Sequence, residues 1–161
     1  MQKISPFLWF DKEAEEATNY YVSLFPTSKI GTTSRYDEAG AKASGQPGGS
    51  VMVIEFELDG EKFTALNGGP IFKFNESISF VVDCEDQAEV DHYWEKLSAV
   101  PQSEQCGWCK DKFGVSWQIV PKALGEMLSD PDKQKAGRVM QAMLQMKKLD
   151  VGKLKEAYEG K

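Results

Sequence analysis

Two stretches of the chain follow one pattern. Residues 4–25 read ISPFLWFDKEAEEATNYYVSLF, and residues 77–97 read SISFVVDCEDQAEVDHYWEKL. Each stretch begins with apolar, strand-like residues, passes through acidic residues, and continues with apolar residues at helical spacing. Short strand-like runs follow both. The repeat predicts two copies of one strand–helix–strands module, neither of which can bury its apolar face alone.

Turn residues and periodicity predict the remaining elements. Asp59-Gly60 is the dipeptide that two-residue hairpin turns prefer, and Asp11 is a candidate cap for the first helix. The segment 37–50 is rich in glycine, serine and proline and predicts a mobile loop, with a role as a lid left open. Predicted strands cover 4–10, 29–36, 51–58, 61–66, 78–82, 106–110 and 115–120, and predicted tail helices cover 122–128, 132–146 and 150–158. We therefore expect paired modules over 1–121, divided as 1–74 and 75–121, with a helical extension over 122–161.

The composition limits the classes of partner. The chain has 161 residues, a net charge of −6 and a pI of about 4.9. An acidic surface argues against nucleic acid and anionic membranes, which require a basic face. No apolar run reaches membrane-spanning length, and the N-terminus shows no signal peptide. Three cysteines imply no disulfide framework. We expect a cytoplasmic protein.

Several segments resemble a known superfamily. The segments FLWFD (7–11), ATNYYVSLF (17–25) and DKFGVSWQI (111–119) are similar to the vicinal oxygen chelate superfamily, which contains glyoxalases, bleomycin-resistance proteins and extradiol dioxygenases. LNGGP (66–70), CGW (106–108) and SWQIVP (116–121), with the helical tail, resemble its PhnB-like branch, labelled 3-demethylubiquinone-9 3-methyltransferase-like. The resemblance implies an α+β fold, two βαβββ modules forming a concave mixed sheet with C-terminal helices, and a homodimer.

The resemblance also locates a metal site. Four positions that hold a divalent metal in the superfamily fall here at Ser5, about Asn67, Ser77 and Gln118. Neutral hydroxyls and amides bind transition metals poorly compared with imidazole and carboxylate. No cofactor is therefore expected, and a divalent metal is disfavoured.

The same positions predict a ligand pocket. If they face the cleft, strand alternation places Phe7 and Trp9 beside Ser5, and serines beside Ser77 and Gln118. Aromatic rings with a few neutral hydrogen-bonding groups suit a planar or partly apolar small molecule. The predicted pocket consists of Ser5, Phe7, Trp9, Asn67, Ser77, Ser79, Trp108, Ser116 and Gln118.

The remaining motifs give weaker indications of a functional site. Cys106 and Cys109 form a Cys-x-x-Cys in a predicted strand, where residues three apart face opposite sides. His92 is the only histidine, and its place off the apolar helix stripe predicts exposure. The glycines of residues 67–70 fit a ligand loop and a plain linker equally well. No dinucleotide or P-loop motif is present.

Three functions remain after these observations. The first is a small-molecule-binding protein without a metal. The second is a metal-dependent enzyme of the superfamily, of the lyase, isomerase or dioxygenase type. The third is a 3-demethylubiquinone-9 3-methyltransferase, as the branch is labelled. We rank them in that order, because neither metal ligands nor a methyl-donor motif is found.

Overall fold

Each half of the chain forms its own mixed sheet in a computed structural model that describes residues 2–161. The chain divides into two compact units, of which the first ends at Phe74 and the second spans Asn75–Lys161. The elements of the first unit are β1 (Phe7–Phe10), α1 (Ala14–Leu24), β2 (Lys29–Arg35), α2 (Glu38–Ser44), β3 (Val51–Leu58) and β4 (Glu61–Asn67). Those of the second are β5 (Phe80–Cys84), α3 (Gln87–Leu97), β6 (Trp108–Lys110), β7 (Ser116–Pro121), α4 (Lys122–Leu128), α5 (Lys133–Leu144) and α6 (Val151–Glu159).

The two sheets repeat one topology. The first has the strand order β1-β4-β3-β2. Its strands that come first and last along the chain, β1 and β4, are neighbours and pair in parallel. The second has the order β5-β7-β6, and again the strands that come first and last along the chain, β5 and β7, pair in parallel. All other pairs of these strands are antiparallel. The α+β class and the repeated module are confirmed, with three strands in the second sheet.

The core of each unit lies between its sheet and its helix. Buried Ala14, Ala17 and Tyr21 of α1 face the first sheet, where Phe10 and Ile54 are also buried. In the second unit α3 buries the predicted stripe of Val90, Tyr93 and Leu97. The opposite faces of the two sheets are not covered by these helices.

Local turn chemistry accounts for one agreement and one error. Asp59 and Gly60 both have positive φ, 47° and 83°, which is the two-residue hairpin turn predicted from their sequence. The predicted loop over 37–50 instead contains α2. The Asp37 side chain caps this helix by accepting from the Gly40 N–H, and Gly45 ends it in the left-handed conformation. The glycine and serine content predicted a loop, although the segment contains the capping residues for both ends of a short helix.

Three strand boundaries also differ from the prediction. β1 begins at Phe7, after Pro6, which has no N–H to donate to a ladder. β5 begins at Phe80, two residues later than expected, because the Asn75 side chain closes a turn onto Ser77. The predicted strand at 106–110 begins only at Trp108, because the two residues before it have positive φ.

The tail helices pack around a small core of their own. Leu124, Met127, Val139, Leu149 and Leu154 are its buried residues. The three predicted tail helices are present, and the segment between α5 and α6 is anchored by backbone hydrogen bonds from Cys106 and Gly107. No helix within residues 2–161 has the length and apolarity needed to cross a membrane.

Candidate functional site: two exposed sheet faces

The face of the first sheet that points away from α1 carries two aromatic residues of β1. Leu8 and Phe10 are buried toward the core, whereas Phe7 is 59% exposed and Trp9 is half-buried. Alternation therefore places Phe7 and Trp9 on one face, as their spacing predicts. Across the parallel ladder Phe7 lies beside Thr64, and Trp9 lies beside Leu66. This surface combines aromatic rings with a hydroxyl.

The indole of Trp9 is held by the glycine-rich segment that follows β4. Its Nε1–H donates to the Gly69 carbonyl at 2.9 Å, and its ring meets Phe72 edge-on with centroids 4.9 Å apart. A Cβ atom at Gly68 would lie 2.3 Å from two atoms of the indole. Gly68 is therefore needed for the close approach of the backbone to the Trp9 ring.

Asn67 has a different environment from the aromatic residues. It is buried, its Oδ1 accepts from the Ala14 N–H at 2.8 Å, and its Nδ2 donates to the Val51 carbonyl at 3.1 Å. Its backbone carbonyl accepts from the Tyr36 hydroxyl at 2.7 Å. Asn67 thus caps α1 from a distant strand, and the predicted cap by Asp11 is wrong. Both groups of the Asn67 side chain are used within the fold.

Ser5 lies near the start of β1, at a polar cavity on the exposed face of the first sheet. The cavity has a volume of about 240 Å³. Its lining residues are Ser5, Lys29, Gly31, Thr32, Glu55, Phe56, Glu57, Lys62, Phe63 and Thr64. Apart from Ser5, none of these residues belongs to the pocket predicted from the sequence. The alternation of β3 could have placed Glu55 outward, but no local signal shows which strands flank it.

In the second unit, four of the predicted residues lie on one face of the sheet. The Gln118 Nε2–H donates to Ser79 Oγ at 2.9 Å. Trp108 is the cross-strand partner of Gln118 on β6, and Val81 is its partner on β5. Ser116 shares this face by alternation along β7. A half-buried amide, an indole and two hydroxyls therefore come together, with 54% of Val81 exposed beside them.

Ser116 carries a buried polar atom without a partner. Its Oγ is buried and forms no hydrogen bond within residues 2–161. The residue opposite it is Lys110, whose ammonium group pairs with Glu76 and lowers the pKa of that carboxyl group through a hydrogen bond. By contrast, Ser77 is exposed, and its backbone N–H donates to Asn75 at 2.9 Å. The Ser116 hydroxyl is therefore enclosed by the protein, whereas Ser77 lies in contact with solvent.

The predicted metal positions do not provide a fitting donor set. Asn67 uses its amide oxygen to cap α1, and Gln118, whose Nε2–H donates to Ser79, offers only one neutral amide oxygen. The remaining two positions offer only serine hydroxyls, which are weak ligands for transition metals. Within residues 2–161, no three histidine, cysteine, aspartate or glutamate side chains cluster as metal ligands would. These residues do not fit the superfamily's metal.

Comparison with known proteins identifies the family. The model of the 3-demethylubiquinone-9 3-methyltransferase family matches residues 2–120. The chain belongs to this family. A PhnB protein from Bacillus cereus, named as a candidate 3-demethylubiquinone-9 3-methyltransferase, is 38% identical, with 74% of this chain and 99% of that chain covered and a TM-score of 0.62. None of the functionally curated proteins matches the chain.

More distant structures share the fold of this 3-demethylubiquinone-9 3-methyltransferase family member. Protein PA1353 from Pseudomonas aeruginosa is 17% identical, with 75% of this chain and 98% of that chain covered and a TM-score of 0.55. The Arabidopsis thaliana gene product At5g48480 is 18% identical, with 74% and 98% covered and a TM-score of 0.50. The family match ends at residue 120, so α4, α5 and α6 lie beyond it, although the resemblance was expected to include the tail.

The thiols of this family member differ in their environment. Burial raises the pKa of Cys84 to about 12, with nearby carboxylates adding to the shift, and burial likewise raises the pKa of Cys109 to about 12. Cys106 is half-buried in a turn with φ of 50°, so the predicted strand position is wrong. Two of the three thiols are therefore poor nucleophiles. His92 is exposed, as predicted.

Proposed function

We propose that each sheet of this PhnB-like protein offers, on its exposed face, a binding surface for a small, partly planar molecule. The main support is the exposure of Phe7 next to Trp9 on β1. A strand face in water normally carries polar side chains, yet 59% of the Phe7 side chain is exposed. Aromatic rings at such a position offer a stacking surface for a planar ligand.

The exposed face of the second sheet, taken by itself, has groups that can orient a ligand. Gln118 and Ser79 are already joined by a hydrogen bond, which fixes the direction of the amide. Ser116 has an unpartnered buried hydroxyl on the same face, and a buried polar group without a partner is costly. Because Ser116 is only 2% exposed, the groups that a ligand can reach on this face are those of Ser79, Trp108 and Gln118. These residues bind and orient; they include no acid–base pair, so the proposal contains no catalytic step.

The proposal extends to assembly and location. Large apolar side chains at the ends of the sheets are exposed, among them Ile4 at 89% and Ile78 at 73%. Such residues are frequent in interfaces, and we propose a homodimer that covers them, as expected from the superfamily. The acidic composition agrees with a cytoplasmic protein that has neither a nucleic-acid nor a membrane partner.

Tryptophan fluorescence tests the binding proposal. Short-chain ubiquinone and bleomycin would be titrated into the wild type and into the Phe7→Ser and Gln118→Ala variants. We expect at least one probe to bind, and each substitution to weaken binding by about three- to tenfold, the value of one aromatic or hydrogen-bonding contact. Met140→Ser is the matched control, since it removes another exposed apolar side chain, on α5. Equal affinity in all variants would contradict the proposal.

The family name supports a second candidate, methyl transfer to a demethylated quinone. This activity requires a methyl donor, so calorimetry with S-adenosylmethionine is the direct test. Saturable binding of the donor together with methylation of the quinone would establish it in place of simple binding. A third candidate, the metal-dependent enzyme, predicts a stoichiometric divalent metal in the purified protein, which elemental analysis would detect.

A further inference from the structure

Glu55 places a carboxylate that forms no ion pair within residues 2–161 in the middle of the first sheet. It lies on β3, which is flanked by β2 and β4. Its side chain is exposed on the face that carries Phe7 and Trp9. No hydrogen bond or ion pair joins its carboxylate to any residue of the described chain, 2–161. A cross-strand partner of opposite charge would stabilise an acidic side chain at this position.

The strand register explains why Glu55 lacks such a partner. Its neighbour on β4 is Thr64, which is uncharged. Two residues further along β3, Glu57 forms an ion pair with Lys29 at 3.1 Å and lies opposite Lys62. Glu57 therefore has an ion-pair partner, whereas Glu55 has none, although Lys29 and Lys62 also line its cavity.

A β-bulge lies on the β2 side of Glu55. The pairing of β2 with β3 shifts between Ile30 and Thr33, so Gly31 and Thr32 together oppose Glu55. A Cβ atom at Gly31 would lie only 3.1 Å from the Glu55 carbonyl oxygen. Bulges of this kind re-aim side chains and occur next to binding sites. Here the bulge lines the cavity of about 240 Å³ that contains Glu55.

The cavity continues into the aromatic surface. Thr64, beside Glu55, is also the cross-strand partner of Phe7. The next row along the sheet consists of Val53, Leu66 and Trp9. One ligand can therefore place a charged group at Glu55 and an apolar ring on Phe7 and Trp9.

We infer that this cavity binds the protonated amine of a ligand whose aromatic or apolar part lies on Phe7 and Trp9. The inference rests on the proposed function and specifies the class of ligand as an arylalkylamine. The carboxylate of Glu55 accepts the ammonium hydrogen bonds, and the hydroxyls of Thr32 and Thr64 can accept others.

Two matched probes test this assignment by NMR titration of the ¹⁵N-labelled full chain. They are 2-phenylethylamine, which is a cation at pH 7, and 2-phenylethanol, which is neutral and of similar shape. We expect the amine to bind about fivefold more tightly, the upper range for an exposed ion pair, and to shift the amide signals of Gly31, Thr32 and Thr64. Raising the ionic strength should reduce this preference.

Glu55→Gln is the decisive variant, because it keeps the shape and removes the charge. It should remove the preference for the amine and leave the affinity for 2-phenylethanol unchanged. Glu61→Gln removes the same charge from β4 outside the cavity and should retain the preference. A wild type that binds both probes equally would overturn the inference and leave the proposed function intact. A folded wild type that binds neither probe would overturn both.

Discussion

Replacing Gly68 with alanine tests whether the Trp9 indole is fixed against the backbone. The added Cβ atom would lie 2.3 Å from two indole atoms, so the ring must move by more than about 1 Å to reach ordinary contact. That movement breaks the hydrogen bond to the Gly69 carbonyl and the edge-on contact with Phe72. Each contributes about 1 kcal/mol. We therefore expect a loss of about 2 kcal/mol in the free energy of unfolding.

Urea unfolding followed by far-ultraviolet circular dichroism measures this loss. Gly48→Ala is the matched control in the same unit, because its nearest atom outside the neighbouring residues is 3.9 Å away. The decisive comparison is a double-mutant cycle with Trp9→Ala, in which the Gly68 substitution should cost almost nothing. A Gly68 variant as stable as the wild type, or an undiminished cost in the Trp9→Ala background, would refute the reasoning.

Three further predictions concern groups buried in the two units. Asn67→Ala removes the cap of α1 and leaves a buried carbonyl of β3 unpaired, so calorimetry should show a loss of about 2–3 kcal/mol; an unchanged melting temperature would refute it. Asp111→Ala removes three hydrogen bonds to a buried carboxylate and should cost about 3 kcal/mol or more in denaturant unfolding, whereas a loss below about 1 kcal/mol would count against this role. In native protein at pH 8, Ellman's reagent should label Cys106 rapidly and both Cys84 and Cys109 slowly; fast labelling of all three contradicts their burial. Because burial raises the pKa of the two slow thiols to about 12 from 9.0, the folded state holds their protons more tightly. Their contribution to stability is complete below about pH 9 and declines toward pH 12.

The fold could be predicted from the sequence because the strongest signals in the sequence are local. The repeat of strand and acidic helix, the Asp59-Gly60 turn and the alternation of Phe7 and Trp9 depend on residues close in the chain, and all three are present in the structure. Strand ends were less certain, since a side chain such as that of Asn75 can close a turn where the apolar pattern still continues.

The site depends on contacts that no local pattern reveals. Asn67 was selected as a pocket residue, yet its side chain caps a helix 53 positions away in sequence. Glu55 was not selected, because its missing partner follows from strand register and from the bulge at Gly31 and Thr32. Register joins residues far apart in the chain, so it becomes visible only in the folded structure.

NMR mapping with saturating 2-phenylethanol tests the central claim most directly. The claim is that the two exposed sheet faces bind a small molecule. We expect the largest amide shifts at Phe7, Trp9 and Thr64 in the first unit, and at Trp108 and Gln118 in the second. Shifts confined to the tail helices, or no shifts at all in the folded protein, would contradict it.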